Sequence, residues 1–359
     1  MKLTSQSLHP DFKLNGLEFS SAEEVLNFAD ALREEGDEQE VSVAKFLEKW
    51  LDFSETITVK TSGSTGKPKK IELRKEHMIN SALATGAYFK TGNKTQALLC
   101  LSANFIAGKM MLVRAMVLGW DLHIVSPAKD SLTEYDNDYD FVAMVPYQVW
   151  HSLEDLRKVK KLIVGGGRVS TELEERLQKV NTEVFATFGM TETCTHVAVR
   201  RLNGPAKSDI YYALPEVKFS IDERECLVIS APKIISEPIQ TNDVVRLHSS
   251  TGFEWTGRFD NIINSGGLKL YPENIESRIA SSLDVPFIIA SEKDEMLGER
   301  VIMIYEGVEG TKPKLAEAFN KLEPHERPKR VYCLSKFVYT ETGKIKRQDV
   351  LSVLRKYKK

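Results

Sequence analysis

The chain has 359 residues, 42% of them hydrophobic and 28% charged, with 49 Lys and Arg set against 51 Asp and Glu. That length suits about two domains with a substantial core, and the near-neutral balance excludes the basic surplus of a bulk nucleic-acid binder. The uncharged stretch 95–108 stops at Lys109 and Arg114, short of the about 20 apolar residues of a membrane span. The N-terminus has no apolar signal core, and Cys100, Cys194, Cys226 and Cys333 are too dispersed for a zinc ribbon or a disulfide scaffold. The expectation is a reduced, soluble, cytoplasmic protein.

In chain order, Ser21 and Glu24 resemble a capping box, and Val25, Phe28, Ala29 and Leu32 follow at helical spacing. A second helix is expected over 41–51, with Val43, Phe46, Leu47 and Trp50 on one face. Residues 56–60 alternate like a strand and run into Thr61-Ser62-Gly63-Ser64-Thr65-Gly66-Lys67-Pro68-Lys69. This is not a Walker A loop, because two residues rather than four separate the glycines and Pro68 follows Lys67. The physics of phosphate cradling still applies. Glycines admit close backbone approach, hydroxyls donate, and Lys67 and Lys69 add positive charge. A hairpin tip shares this composition, but its position directly after a strand favours phosphate.

Helical patterns then alternate with short apolar runs at 97–101, 121–125, 140–145, 161–164 and 183–188, which predicts a layered α/β fold with the site on loops at strand ends. If 104–119 is helical, Arg114 has Met110, Met111, Val117 and Leu118 as neighbours one turn away. A guanidinium in that setting needs an anionic partner; a ligand carboxylate and an internal Asp or Glu both satisfy it. Lys109 lies about 140° round such a helix from Arg114, so the two need not serve one group. Gly165-Gly166-Gly167 after an apolar run offers either a side-chain-free surface for a flat ring or a plain tight turn. Residues from 261 onward carry 18 Lys and Arg against 14 Asp and Glu, whereas the first 260 carry 31 against 37. That suggests a small basic domain behind a larger acidic one, with much of the excess in a solvated Lys-rich end.

The loop at 61–69 resembles the phosphate loop of the adenylate-forming superfamily. Phe188-Gly189-Met190-Thr191-Glu192, Thr256-Gly257-Arg258-Phe259-Asp260 with Ser265-Gly266-Gly267 and Glu273-Asn274-Ile275-Glu276, and Thr340-Glu341-Thr342-Gly343-Lys344 are similar to its further motifs, in order. The segment ahead of the first loop is about 55 residues here, shorter than usual in the family, so part of an N-terminal subdomain is expected to be missing.

The resemblance implies a large layered α/β N-terminal domain over 1–258, a hinge at 259–260 turning on Asp260, and a small mobile α+β domain over 261–359. It implies ATP, Mg²⁺ and CoA, and chemistry that joins a carboxylate to the α-phosphate. Two such anions repel by about 4 kcal/mol at about 4 Å and an effective dielectric of about 20, so cations must gather there. By resemblance, Thr61, Ser62, Gly63, Ser64, Thr65, Gly66 and Lys67 cradle phosphate, and Thr191 donates to the α-phosphate. Glu192 holds Mg²⁺. Gly165, Gly166 and Gly167 line the adenine site, with Phe188 and Gly189 also cofactor-binding; Asp243 meets the ribose and Arg258 the ribose or a phosphate. Lys344 follows charge from carboxylate to phosphate, and Ser265, Gly266 and Gly267 line a path for the CoA arm. Asn242 stands where the family has glycine. The region around Arg114, with Asn261 after Asp260 and the Ser-Gly-Gly that follows, is most similar to the branch acting on o-succinylbenzoate, a dicarboxylic acid of menaquinone synthesis. Arg114, Lys109, Phe105 and His196 are its expected substrate contacts, with Phe105 in place of a histidine and Thr195 close by. Other acids, and a nucleotide-binding module without ligase chemistry, remain alternatives; oligomeric state is open.

Overall fold

The computed structural model describes residues 7–60, 69–308, 313, 315–340 and 345–357. Two short strands, β1 (Lys13–Leu14) and β2 (Leu17–Glu18), precede a helical pair, α1 (Ala22–Glu35) and α2 (Glu38–Leu51). Ser21 caps α1 by accepting from Glu24 N–H, as its spacing suggested. The second helix starts three residues before the apolar pattern does, because Asp37 and Glu40 form a complete capping box. A hairpin of β3 (Thr56–Lys60) and β4 (Lys70–Arg74) flanks the 61–68 segment.

The main sheet has thirteen strands. Its parallel part comprises β5 (Gln96–Leu99), β6 (Asp121–Ile124), β7 (Tyr139–Met144), β8 (Val159–Val164) and β9 (Glu183–Gly189), with β1 added in parallel along β6. Helices α3 (Lys75–Phe89) and α4 (Ile106–Leu118) cover one face, and α5 (Pro146–His151) and α6 (Thr171–Leu177) lie on the chain between the later strands. Both faces are buried. Ala97, Leu99, Phe141, Ala143 and Ile163 join the larger core, while Leu98, Cys100, Val142, Met144, Leu162 and Val164 join a second core opposite. That two-residue alternation of two apolar sets explains why these strands read as unbroken hydrophobic runs.

From β9 onward every pairing in this sheet is antiparallel. Strands β10 (His196–Arg201), β11 (Ile210–Ala213), β12 (Lys218–Ile221), β13 (Cys226–Ser230), β14 (Ile239–Ser249) and β15 (Gly252–Arg258) follow one another without an α-helix between them. The alternation read from the sequence ends at 183–188 and does not cover this block.

After the 3-10 turn Phe259–Asn261 a second sheet begins, ordered β17 (Leu268–Leu270), β16 (Ile263–Ser265), β19 (Gly298–Glu306), β18 (Phe287–Asp294), with β20 (Arg330–Leu334) parallel to β19. Helices α7 (Pro272–Ile279), α8 (Leu315–Asn320) and α9 (Arg347–Tyr357) pack around it, and its apolar residues form two cores of their own. No helix among the described residues is long and apolar enough to cross a membrane.

Candidate active site

The expected phosphate cradle, Thr61 to Lys67, and Lys344 lie outside the described residues. Their flanks are described. Strand β4, which resumes the chain after the cradle, packs against the 3-10 turn Thr191–Thr193 that carries Glu192. The chain on the two sides of Lys344 is joined by a bridge between Tyr339 and Ile345 and by Lys346 N–H donating to Val338 carbonyl.

Glu192 is exposed and forms no hydrogen bond or ion pair with another described residue. No group of three or more metal-ligating side chains occurs among the described residues. A lone carboxylate suits Mg²⁺, which takes one or two carboxylates and completes its shell with phosphate oxygens and water. The turn is aimed by Gly189, where β9 meets β10: a Cβ there would lie 2.3 Å from Thr195 O and 2.5 Å from His196 Cα. Only glycine permits that approach.

Behind this turn lies a buried polar cluster. Arg114, on α4, is 1% exposed. Its Nε donates to Thr85 Oγ1 at 3.4 Å, and its Nη2 lies 3.3 Å from Thr195 Oγ1 and 3.5 Å from His196 Nδ1. No carboxylate of a described residue pairs with it, so none of the described residues is the internal Asp or Glu that the sequence left open. Burial alone lowers its pKa to about 9. His196 is also buried, and burial, then Arg114, holds it well below the usual imidazole range. It is therefore neutral, with Nδ1 accepting from Arg114 and Nε2–H directed at Thr85 Oγ1, 3.5 Å away. All Arg114 contacts are long, so five donors are poorly satisfied.

Lys109 and Phe105 are not part of this cluster. The Lys109 ammonium donates to Ala103 carbonyl and lies 5.6 Å from the Phe46 ring centroid on α2. Burial lowers its pKa to about 8. Phe105 is the cap residue of α4.

A second constellation assembles the remaining candidates. Gly165 packs on β9, where a Cβ would meet Thr187 Oγ1 at 2.5 Å, and Gly166 is left-handed with φ +74°. Arg168, next after the glycines, stacks 5.5 Å from the Trp255 ring, and Trp255 Nε1 donates to Asp243 Oδ1 at 2.9 Å. Arg258 Nη1 reaches Asp243 Oδ2 at 3.3 Å, and its Nη2 lies 3.5 Å from Asp260 Oδ2. Asp243 and Arg258 face each other in the β14–β15 ladder, so their meeting follows from register. Burial raises the pKa of Asp243; Arg258 and the Trp255 N–H oppose it. The glycine surface and the Asp243 carboxylate are thus joined through Arg168 and Trp255, two residues the motif reading did not single out. Phe188 packs on Phe253, with ring centroids 5.0 Å apart. Ser265-Gly266-Gly267 forms the β16–β17 turn of the second sheet, with φ +57° and +83° at the glycines, and lies apart from both constellations in the hydrogen bonds of the described residues.

The sequence profile of the AMP-binding enzymes matches residues 59–228. An acyl-CoA synthetase (AMP-forming)/AMP-acid ligase II-like protein from Dyadobacter fermentans is 35% identical. Its structure superposes with a TM-score of 0.62 over 91% of this chain and 98% of that one. The chain belongs to the AMP-binding enzyme family. Among curated relatives, the 2-succinylbenzoate–CoA ligase of Escherichia coli is 25% identical over 68% of this chain, which spans 57% of that relative's length. The O-succinylbenzoate coenzyme A synthetase of Bacillus subtilis, solved with ATP and magnesium, shares the fold at a TM-score of 0.71 and 17% identity, covering 82% of this chain and 69% of that one.

Proposed function

We propose that the chain is an ATP-dependent acid–CoA ligase acting through an acyl-adenylate, with o-succinylbenzoate of menaquinone synthesis as the acid. The observation that carries this is Arg114: a buried guanidinium, without a carboxylate among the described residues, directly behind the Glu192 turn. Burying a charge without its partner is costly, and a second carboxylate on the substrate would complete the pair with charge-assisted bonds. The Thr195 hydroxyl and neutral His196 beside it provide further polar contacts for that group.

In the first step a carboxylate oxygen of the acid attacks the α-phosphorus and pyrophosphate leaves. Thr61 to Lys67 cradle the phosphates and Thr191 donates to the α-phosphate. The Gly165–Gly167 surface and Phe188 hold the base, and Asp243 and Arg258 hold the ribose. Glu192 would hold Mg²⁺, which supplies charge neutralisation at the phosphates. Lys344 follows the moving charge. Residues 1–258 form the large domain in this scheme and 261–359 the small one. A turn at 259–260 about Asp260 exchanges the Lys344 loop for Ser265-Gly266-Gly267. The thiol of CoA then attacks the acyl carbonyl and AMP leaves.

A panel of acids supplied with ATP, Mg²⁺ and CoA, read by AMP release and thioester mass, tests this. o-Succinylbenzoate should give a thioester, and its analogue lacking the second carboxylate should fall about 100-fold in kcat/KM, the scale of a lost charge-assisted contact. A preferred monocarboxylic acid would transfer the assignment to another ligase. ATP binding with no AMP release from any acid would leave only a nucleotide-binding module.

A further inference from the structure

The turn at 259–261 is held from both sides by one residue of α7. Glu273 is 9% exposed. Its Oε2 accepts from Arg258 N–H at 3.5 Å, before the turn, and its Oε1 accepts from Asn261 Nδ2, after it. Its backbone carbonyl accepts from Arg168 Nη1, which belongs to the main-sheet side. Gly257 makes room: a Cβ there would lie 3.1 Å from Glu273 Oε2. Thr171 Oγ1 donates to Ser277 carbonyl at 2.9 Å, one turn further along α7. Arg168 is also the residue that follows the glycine surface and stacks on Trp255, whose N–H holds Asp243.

We propose that Glu273 is a positioning residue that locks the second sheet and its helices in the orientation seen here, and that Arg168 is the link through which a bound nucleotide acts on that lock. A ribose taking the Asp243 carboxylate must share or displace the Trp255 N–H bond, and Trp255 carries Arg168. Rotation of the small part about Asp260 separates Glu273 from both Arg258 N–H and Arg168, so the lock must open for any such swing. The orientation lock stands on these contacts alone; its effect on partial reactions rests on the ligase reading.

The test uses the ligand-free full chain with nitroxides at Lys129→Cys and Lys293→Cys in a Cys333→Ser background. The wild-type distribution of distances should have one dominant peak. Glu273→Ala should raise the ratio of other distances to that peak about five- to tenfold, the scale of one or two modest hydrogen bonds. Glu273→Gln keeps an acceptor, and rotation of the Asn261 amide restores the pair, so it should match the wild type. Arg168→Met, which retains a stem on Trp255 without the donor, should shift the distribution in the same sense and serves if Glu273→Ala does not fold. An unchanged distribution in both disruptive variants overturns the proposal. In activity, Glu273→Ala should change the ratio of pyrophosphate exchange to thioester formation from supplied adenylate about fivefold. A proportional fall in both, as from simple destabilisation, counts against the lock. Wild-type chain inactive in both partial reactions would refute the ligase reading and leave the distances to decide the lock.

Discussion

Arg114 and Arg347 are the same residue type withdrawn from water in two parts of the molecule, and they are treated in opposite ways. Arg347 opens α9 in the small part, with its side chain 17% exposed. Its Nη2 contacts both Glu276 oxygens at 2.7 and 2.9 Å, and its Nη1 donates to Ile289 carbonyl. Burial works against its charge, yet Glu276 and Glu273 more than offset that and raise its pKa. Arg114 is more deeply placed and has hydroxyls, a thioether and a neutral imidazole around it, so burial goes unopposed and its pKa falls. The difference separates a cation that closes a fold from one kept open for something else. A pair already complete has no capacity for a ligand; an incomplete one does.

Breaking the closed pair should have the largest effect. Arg347→Leu leaves Glu276 buried and unpaired, which costs about 3–5 kcal/mol, and urea melts should show the loss. If Arg347→Leu melts like the wild type, the pair is not holding α9. Arg114→Leu should behave differently. No carboxylate is stranded, so its melting should be unchanged or slightly improved, while kcat/KM for the dicarboxylic acid falls about 100-fold, or about 2.7 kcal/mol, with ATP binding intact. Equal losses for acid and ATP would remove the receptor role. Lys109 sharpens the comparison with the smallest effect. It too is a cation without a carboxylate among the described residues, and burial lowers its pKa from 10.5 to about 8. Between those values the folded chain has released the proton and the unfolded chain still holds it, so stability rises with pH across that window. Thermal melts of the wild type should therefore gain on Lys109→Met from pH about 8 to about 10.5. A difference that stays flat with pH would mean that Lys109 keeps its charge in the fold.

Much of this was legible in the chain because it is local. The Ser21 cap follows from spacing and the parallel strands from their apolar runs, the chain supports a helix at α4 only as a supposition, and the run of motifs marks Glu192, Asp243 and Arg258 as candidates. The antiparallel block was not legible, since β10 to β15 have mixed burial patterns and no flanking helices to set the period. Arg168 and Trp255 were missed because neither belongs to a motif; 87 residues separate them, and only the tertiary fold brings their side chains into contact. For Arg114 the sequence gives the need for an anion; only the packing of α3, α4 and β10 shows that the described residues do not supply it. Asn242, which departs from the expected glycine, donates to Asp260 at 3.0 Å, so the departure ties the ribose turn to the pivot residue.

The two-residue strands β1 and β2 have a consequence beyond architecture. With β1 along β6 and β2 along β1, they cap one margin of a thirteen-stranded sheet with a segment too short to template another chain, flanked by the Lys13–Glu18 ion pair at 2.7 Å. Trimming the protein past residue 18 would bare the backbone of Asp121–Ile124, and the cost would surface as clumping during expression and storage rather than as slower chemistry.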